Sequence, residues 1–253
     1  MKREGAVTAR ILTDPLLWFG LAFAFFVAFM PVLAPIFARA FPSIEPPVYA
    51  GDSFVALWLF HAALVAASSL AATIIGVSAG IFATRAAGTE FRPTLEALAT
   101  IGQTFPPVAV LALAVPALGY GAAPTFIALT LYGILPILKN TIAGLTSAPA
   151  AVRDAAIGMG LTPLQILRQV ELPLAAPVIL AGIRLSVIIN IGTATIGSTV
   201  GAVTLGTPII GGLVSNKIGY VIQGAIVVGL FAIVTDLLFE RIDRRLRRFA
   251  RRD

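Results

Sequence analysis

Long uncharged apolar stretches alternate with short polar segments along this chain of 253 residues. A membrane-crossing helix needs about 20 mainly apolar residues, or about 17 at the shortest. Five stretches without Asp, Glu, Lys or Arg meet that length: 15–38, 53–84, 97–138, 185–216 and 218–235. The longest of them has the turn-forming residues Gly119 and Gly121 in its middle and therefore predicts two helices.

The pattern predicts an all-α, polytopic membrane protein with about six transmembrane helices. We expect one transmembrane domain over 16–240 with a polar loop at 146–173, a short N-terminus at 1–15 and a basic tail at 241–253. The expected spans are 16–38, 54–84, 96–118, 123–145, 174–199 and 218–240. The proline-rich segment after the first span is expected to be a linker.

The polar loop has the local signals of two short helices joined by a glycine turn. Thr162 and Gln165 have the spacing of a capping box, and Pro163 lies at the favoured first position of a helix. Gly160, just before them, can supply a turn that other residues resist. Pro173 is expected to end the second short helix. Such a compact unit could bind a cytoplasmic partner, and an ordinary connection between two spans is the alternative.

Composition places the chain in a bilayer, with 58% hydrophobic residues, 12% charged residues and a mean hydropathy of +0.96. The net charge of +6 does not indicate a nucleic-acid partner, because the basic residues flank the ends of the apolar stretches. Placing both termini in the cytoplasm leaves only Arg39 and Lys217 in the outer segments, as the positive-inside rule favours. The polar loop is then cytoplasmic. The basic tail is either a solvated flank or a contact for anionic lipid.

The inventory of reactive side chains argues against an enzyme. There is no cysteine and one histidine, His61, which we expect at the membrane interface. We predict no catalytic residue, no metal ligand and no cofactor on this chain. The sequence lacks a Gly-x-x-x-x-Gly-Lys-Ser/Thr phosphate-binding loop, so any ATP hydrolysis would occur on another polypeptide. The carboxylates lie outside the centres of the spans, which does not favour proton-coupled transport.

A second notable segment, 190–212, is rich in glycine and threonine. Small residues allow close helix packing, and a glycine-rich stretch can also break a helix where it lines a cavity, so both interpretations stay open. Two further short polar stretches, 100–107 and 129–136, contain paired or single prolines within apolar surroundings.

The polar loop resembles the cytoplasmic motif of ATP-binding-cassette (ABC) importer permeases. That motif reads acidic-Ala-Ala, three residues, Gly, nine residues, an aliphatic residue, one residue, Leu-Pro, and every spacing is met from Asp154 to Pro173. The usual acid is glutamate, and Asp154 is one methylene shorter. Together with the polar stretches just described, the chain from about residue 55 to 240 is similar to permeases of osmoprotectant importers that carry glycine betaine, choline or carnitine.

The resemblance implies a type I ABC importer permease fold in the bacterial cytoplasmic (inner) membrane. The implied partners are an ABC ATPase subunit that binds ATP and Mg, a second permease copy or homologue, and an extracytoplasmic substrate-binding protein, which we expect to hold any aromatic cage. Implied ATPase-coupling residues are Asp154, Ala155, Ala156, Gly160, Leu161, Thr162, Pro163, Leu172 and Pro173. Candidate substrate-pathway residues are Thr104, Phe105, Tyr132, Asn190, Gly192, Thr193 and Thr195. Helix packing is the alternative role, notably for Phe105 and Tyr132.

Other functions stay open at this point. One is an ABC permease of the same architecture for another small solute, such as an amino acid or an organic anion. Another is an ion-coupled carrier or channel that acts alone, which would not need the motif from Asp154 to Pro173. A purely structural membrane scaffold would need neither polar motif.

Overall fold

The computed structural model describes residues 14–249, and over these residues it contains helices and turns but no β-strand. The all-α prediction is therefore confirmed. Residues 1–13 of the expected N-terminal segment and residues 250–253 of the basic tail lie outside the described residues. The α-helices are α1 Pro15–Phe29, α2 Ala34–Ala40, α3 Phe54–Ala83, α4 Arg92–Thr104, α5 Pro107–Leu118, α6 Ala122–Thr146, α7 Ala150–Gly158, α8 Pro163–Ile166, α9 Leu172–Ala194, α10 Thr207–Val214 and α11 Ile218–Phe249. Short 3-10 turns cover Met30–Leu33, Thr89–Phe91 and Ile196–Val200, and a π-turn covers Leu167–Glu171.

Five helical segments of the described chain are long and apolar enough to cross a membrane, and a bent helix pair makes a sixth if it counts as one span. The five are Pro15–Ala40, Phe54–Ala83, Ala122–Thr146, Pro163–Ala194 and Ile218–Leu246. The bent pair joins Thr89–Thr104 to Pro107–Leu118 at an angle of 93°. The count of about six spans is thus confirmed by length and composition.

The third span, predicted over 96–118, is not one continuous helix, because the helix breaks in its middle. Phe105 adopts the extended conformation, with φ −66° and ψ 136°. The ring of the following Pro106 disfavours the helical conformation for the residue before it, and Pro107 then begins α5. The apolar character of the segment continues through the break, so the hydropathy pattern does not reveal it.

The fifth span also differs from the prediction, since Pro173 does not end the short helix that begins at Pro163. Helical structure continues from Pro163 through the π-turn and into α9. Within the turn, the Leu172 backbone N–H bonds to the Leu167 carbonyl, one residue further back than in an α-helix. This wider turn accommodates the missing backbone N–H of Pro173. The expected span 174–199 is accordingly observed as 163–194.

The structure forms two compact units. The first combines the described residues up to Leu64 with Leu111–Thr125 and Ile191–Phe239. Its core includes Phe23, whose ring stacks on Phe231 with centroids 5.7 Å apart. His61 is fully buried and accepts a hydrogen bond from the Leu205 backbone N–H at 3.2 Å. His61 is therefore a core residue of this unit, and its depth in the membrane stays a prediction.

The proline-rich segment after α2 is held on α11 rather than extended as a free linker. Three successive carbonyls, those of residues 45–47, accept hydrogen bonds from side chains spaced three residues apart at the start of α11. Lys217 Nζ donates to the first at 2.6 Å, the Tyr220 hydroxyl to the second at 2.8 Å, and Gln223 Nε2 to the third at 2.9 Å. The spacing of three puts these donors on one face of the helix. The segment thus has a fixed position within the first unit.

The second unit contains Val65–Val110, Phe126–Asn190 and the described residues from Glu240 to Phe249. One core cluster forms around Leu138 and Ile142, and another around Ala175 and Ile179. This unit contains the whole polar loop 146–173 and the bend between α4 and α5.

Candidate coupling loop and translocation pathway

The turn after α7 has the hydrogen bonds of a Schellman motif centred on Gly160. The Gly160 N–H bonds to the Ile157 carbonyl at 2.9 Å, and the Leu161 N–H bonds to the Ala156 carbonyl at 3.1 Å. Gly160 has φ +79°, in the left-handed region that residues with a Cβ disfavour. The predicted glycine turn is confirmed. It sets the direction in which the chain leaves α7.

The predicted capping box at the start of α8 is also confirmed. Thr162 Oγ1 accepts from the Gln165 backbone N–H at 3.4 Å, and Gln165 Oε1 accepts from the Thr162 N–H at 2.8 Å. Pro163 lies in the first turn of α8, where its missing N–H leaves no bond unmade. The Schellman motif and the capping box together leave only four residues, 159–162, between the last residue of α7 and the first residue of α8.

The candidate coupling residues differ in exposure. Asp154, Ala155, Gly160, Thr162 and Pro163 are exposed, Leu161 is half-buried, and Ala156 is buried against the rest of its unit. Leu172 and Pro173 lie beyond the π-turn, at the start of α9, and so belong to a spanning helix rather than to the two short helices.

Four apolar side chains of this loop are exposed along with the acidic residue Asp154. Ile157 is 58% exposed and Met159 is 72% exposed, and Val152 and Leu164 are exposed as well. Exposed apolar clusters are typical of protein contact sites. A carboxylate within such a cluster can add charge recognition to apolar contact. We define this set, Val152, Asp154, Ile157, Met159 and Leu164, as the loop surface.

A buried carboxylate in the same unit is linked to the loop through Arg153, the residue before Asp154. Glu171, in the π-turn, is 1% exposed, and its Oε2 atom lies 2.5 Å from Arg85 Nη2. Its other oxygen, Oε1, lies 3.1 Å from Arg153 Nη2. None of these three residues was among the candidates predicted from the sequence. An acidic residue immediately before the Leu-Pro pair was the available signal, but its partners are distant in sequence.

Two candidate pathway residues meet at the bend between α4 and α5. The Tyr132 hydroxyl on α6 donates to the Phe105 carbonyl, which the bend has released from helical bonding. Gln103 Nε2 donates in turn to the Tyr132 carbonyl at 2.8 Å. Tyr132 is buried, while the Phe105 ring is about half exposed. Thr104 is exposed, and its hydroxyl bonds to the Ile101 carbonyl at 2.8 Å within its own helix.

Asn190, a third candidate in this unit, is fully buried and links two helices. Its Nδ2 atom donates to Ser69 Oγ on α3 at 3.0 Å. Gly133 on α6 packs beside it, since a Cβ there would lie 2.6 Å from Ser186 Oγ and 3.4 Å from Asn190 Nδ2. Asn190 therefore acts as a helix-packing residue in this conformation, and sequence reasoning missed its partner Ser69 and the close packing of Gly133 against Ser186.

The remaining candidates, Gly192, Thr193 and Thr195, lie in the first unit at the end of α9. Gly192 is exposed, and a Cβ there would meet no atom within 4 Å. The Thr195 hydroxyl bonds back to the Gly192 carbonyl at 2.7 Å. The helix ends at Ala194, within the glycine-rich segment, so of the two interpretations left open the structure shows the helix break here.

A network of hydroxyl groups stabilises the turn that follows in this unit. Ser198 Oγ lies 2.8 Å from Thr204 Oγ1 and 3.3 Å from Thr207 Oγ1. Thr204 Oγ1 also accepts from the Gly206 N–H at 2.9 Å. The threonines of this segment thus satisfy backbone and side-chain groups locally. Among residues 14–249 there is no group of three or more His, Cys, Asp and Glu side chains that could hold a metal ion.

The fold belongs to a known class of membrane protein, the permease subunits of ABC importers. A solved inward-facing structure of the MetNI methionine ABC transporter aligns with 78% of this chain and 99% of its own, with a TM-score of 0.67 at 22% identity. A second crystal form of the same transporter gives a TM-score of 0.65 at 23% identity, over 74% of this chain and 93% of its own. At these identities the likeness establishes the fold alone. The predicted fold class is confirmed.

The chain belongs to the family of binding-protein-dependent transport system inner membrane components, whose model matches residues 76–248. The osmoprotectant import permease protein OsmY of Salmonella typhimurium is 43% identical, over 74% of this chain and 79% of that protein. The choline transport system permease protein OpuBB of Bacillus subtilis is 41% identical, over 70% and 83%. The carnitine transport permease protein OpuCD of Listeria monocytogenes is 36% identical, over 74% and 83%. The resemblance to ABC importer permeases is confirmed, and the chain is a transmembrane permease subunit of a transport system.

Proposed function

We propose that this chain forms part of the translocation pathway of an ATP-driven importer for a small osmoprotectant such as glycine betaine, choline or carnitine. The substrate assignment rests on relatives that are 36–43% identical over most of both chains and are named for osmoprotectant, choline or carnitine transport. The proposed assembly contains an ABC ATPase with ATP and Mg, a second permease copy or homologue, and an extracytoplasmic substrate-binding protein. Both termini face the cytoplasm of a bacterial inner membrane.

The loop surface is the proposed contact with the ATPase. The proposed coupling function rests on one observation, the structure and exposure of this loop. It combines an exposed carboxylate, Asp154, with apolar side chains, between ends that the Schellman motif and the capping box fix. A rigid, exposed and partly apolar loop suits a partner that must displace it during each ATP cycle. Ala155, next to the carboxylate, is exposed and small, so a partner surface can approach the helix backbone closely there.

The proposed pathway avoids fixed charge, which suits a substrate with a quaternary ammonium group. Phe105 presents an exposed aromatic ring at the bend, and aromatic faces attract such cations. Thr104 beside it offers a small polar surface in the second unit. Gly192, Thr193 and Thr195, at the end of α9, are separate candidates in the first unit. Tyr132 and Asn190 instead support the pathway, since both are buried and hydrogen-bonded to neighbouring helices.

Uptake by the reconstituted complex tests the substrate. Proteoliposomes would hold this chain with its ATPase, its second permease and its binding protein, and would be given radiolabelled glycine betaine with ATP inside. We expect uptake of radiolabelled glycine betaine. Unlabelled choline or carnitine should reduce this uptake, and methionine, an unrelated amino acid, should leave it unchanged. If none of the three quaternary amines is taken up while the binding protein still stimulates ATP hydrolysis, the substrate proposal is wrong and the importer remains.

A further inference from the structure

Three chain segments meet at the buried carboxylate of Glu171. Arg85 follows the end of α3, Arg153 lies in α7 immediately before the exposed Asp154, and Glu171 itself ends the π-turn that leads into α9. One oxygen faces each guanidinium, at 2.5 Å and 3.1 Å. Arg85 is further oriented by a bond from Nη2 to the hydroxyl of the preceding threonine at 3.3 Å. The cluster therefore joins the short helix α7 to the ends of two spanning helices.

The two arginines differ in their surroundings. The Arg85 side chain is 27% exposed and the Arg153 side chain is 50% exposed. A buried carboxylate needs a positively charged partner, and losing its last partner is strongly destabilising. Here the more shielded Arg85 remains beside Glu171 if Arg153 is removed. The pairing with Arg153 can thus break without leaving an isolated buried charge.

We propose that Glu171 and Arg153 form a latch that transmits displacement of α7 to the π-turn and to the end of α3. This proposal rests on the proposed contact between the loop surface and an ATPase. Glu171 is too buried to touch a partner, so it acts as a positioning residue behind the contact. Because Arg153 and Asp154 are adjacent, a partner that moves Asp154 moves one end of the latch. Through the latch, movement of α7 is passed to the π-turn and, by way of Arg85, to the end of α3.

The Arg153→Gln variant breaks the latch while Arg85 keeps Glu171 paired. Its matched control is Arg168→Gln, which removes an exposed arginine from the same π-turn. In the reconstituted complex we expect both variants to assemble and to hydrolyse ATP. Substrate transported per ATP should fall at least about fivefold for Arg153→Gln, the lower end of typical coupling between sites, and stay within about twofold for the control. Arg153→Lys, which keeps the charge, should restore part of the ratio.

A double-mutant cycle separates a latch from direct partner contact by Arg153. If the latch is correct, Glu171→Gln combined with Arg153→Gln should lower the transport ratio no further than the worse single variant. Independent, multiplying losses would overturn the proposal, as would a normal transport ratio for Arg153→Gln. Loss of ATPase binding by Arg153→Gln would also overturn it, since Arg153 would then be a contact residue. A separate variant, Ala155→Arg, tests whether the loop binds the ATPase at all. If ATPase binding is intact in this variant, the proposed contact between the loop surface and the ATPase is wrong, which is a different failure from that of the latch.

Discussion

The substitution Gly160→Ala isolates the conformational role of the loop turn. A Cβ at this position would meet no atom within 4 Å, so the methyl group causes no clash. The cost comes from the backbone, because φ is +79° and an alanine there costs about 1–2 kcal/mol. Gly158, two residues earlier in α7, also has open space around it but has an ordinary helical conformation. Gly158→Ala should therefore stabilise its helix by about 0.5–1 kcal/mol.

The two variants thus add the same methyl group with opposite expected effects. A loss of 1–2 kcal/mol lowers the ratio of the native turn to alternative loop conformations by about 5- to 30-fold. We expect Gly160→Ala to weaken ATPase binding and ATP-driven uptake, while membrane insertion stays normal and Gly158→Ala matches the native chain. The assays are titration of the purified ATPase onto the permease and uptake in proteoliposomes. Equal binding and uptake by the two alanine variants would refute the argument that the turn geometry positions the loop surface.

Other predictions concern the two compact units. Gly133→Ala should destabilise the second unit by about 1–3 kcal/mol through overpacking, because its Cβ would lie 2.6 Å from a serine hydroxyl. The assay is thermal unfolding in detergent, and the control is Gly229→Ala, where the added methyl group has open space. Tyr132→Phe removes the bond to the bend carbonyl and should cost about 1 kcal/mol in the same assay, and an unchanged midpoint would contradict that role. Burial, followed by the charge of Asp52, raises the pKa of Tyr49. The native state thus holds the Tyr49 proton more tightly than the unfolded chain does, so stability should fall as pH rises above about 10. Tyr49→Phe should lessen this fall, and an identical pH profile would argue against it.

Local signals in the sequence predicted the loop well. The capping box from Thr162 to Gln165 and the turn at Gly160 depend on residues close in sequence, and each has few conformational alternatives. Span lengths likewise follow from runs of apolar residues, which the bilayer requires wherever they lie in the fold.

Predictions failed where proline acts through its neighbours. Pro106 and Pro107 were visible in the sequence, but the surrounding apolar run suggested a continuous span, and the 93° bend depends on the backbone of Phe105. Pro173 was expected to end a helix, yet a π-turn before it lets the helix continue.

Contacts between distant segments were beyond the sequence patterns. Glu171 pairs with a residue 86 positions away, and no periodicity connects the two. The bond from Asn190 to Ser69 spans 121 positions. Hydropathy reports how each segment partitions between water and lipid, and it does not report which polar side chains find each other once the helices pack.

The most direct test of the central claim uses the absence of cysteine from this chain, because a single introduced thiol is then unique. Ala155→Cys would place it on the exposed side of α7, and Ser215→Cys would place it at the exposed end of α10, on the expected outer side. Intact cells and inverted membrane vesicles would be treated with a membrane-impermeant maleimide, and the complex with a thiol cross-linker. We predict that Ala155→Cys reacts only in inverted vesicles and cross-links to the ATPase, whereas Ser215→Cys reacts only in intact cells. Labelling of Ala155→Cys from outside the cell would contradict the account.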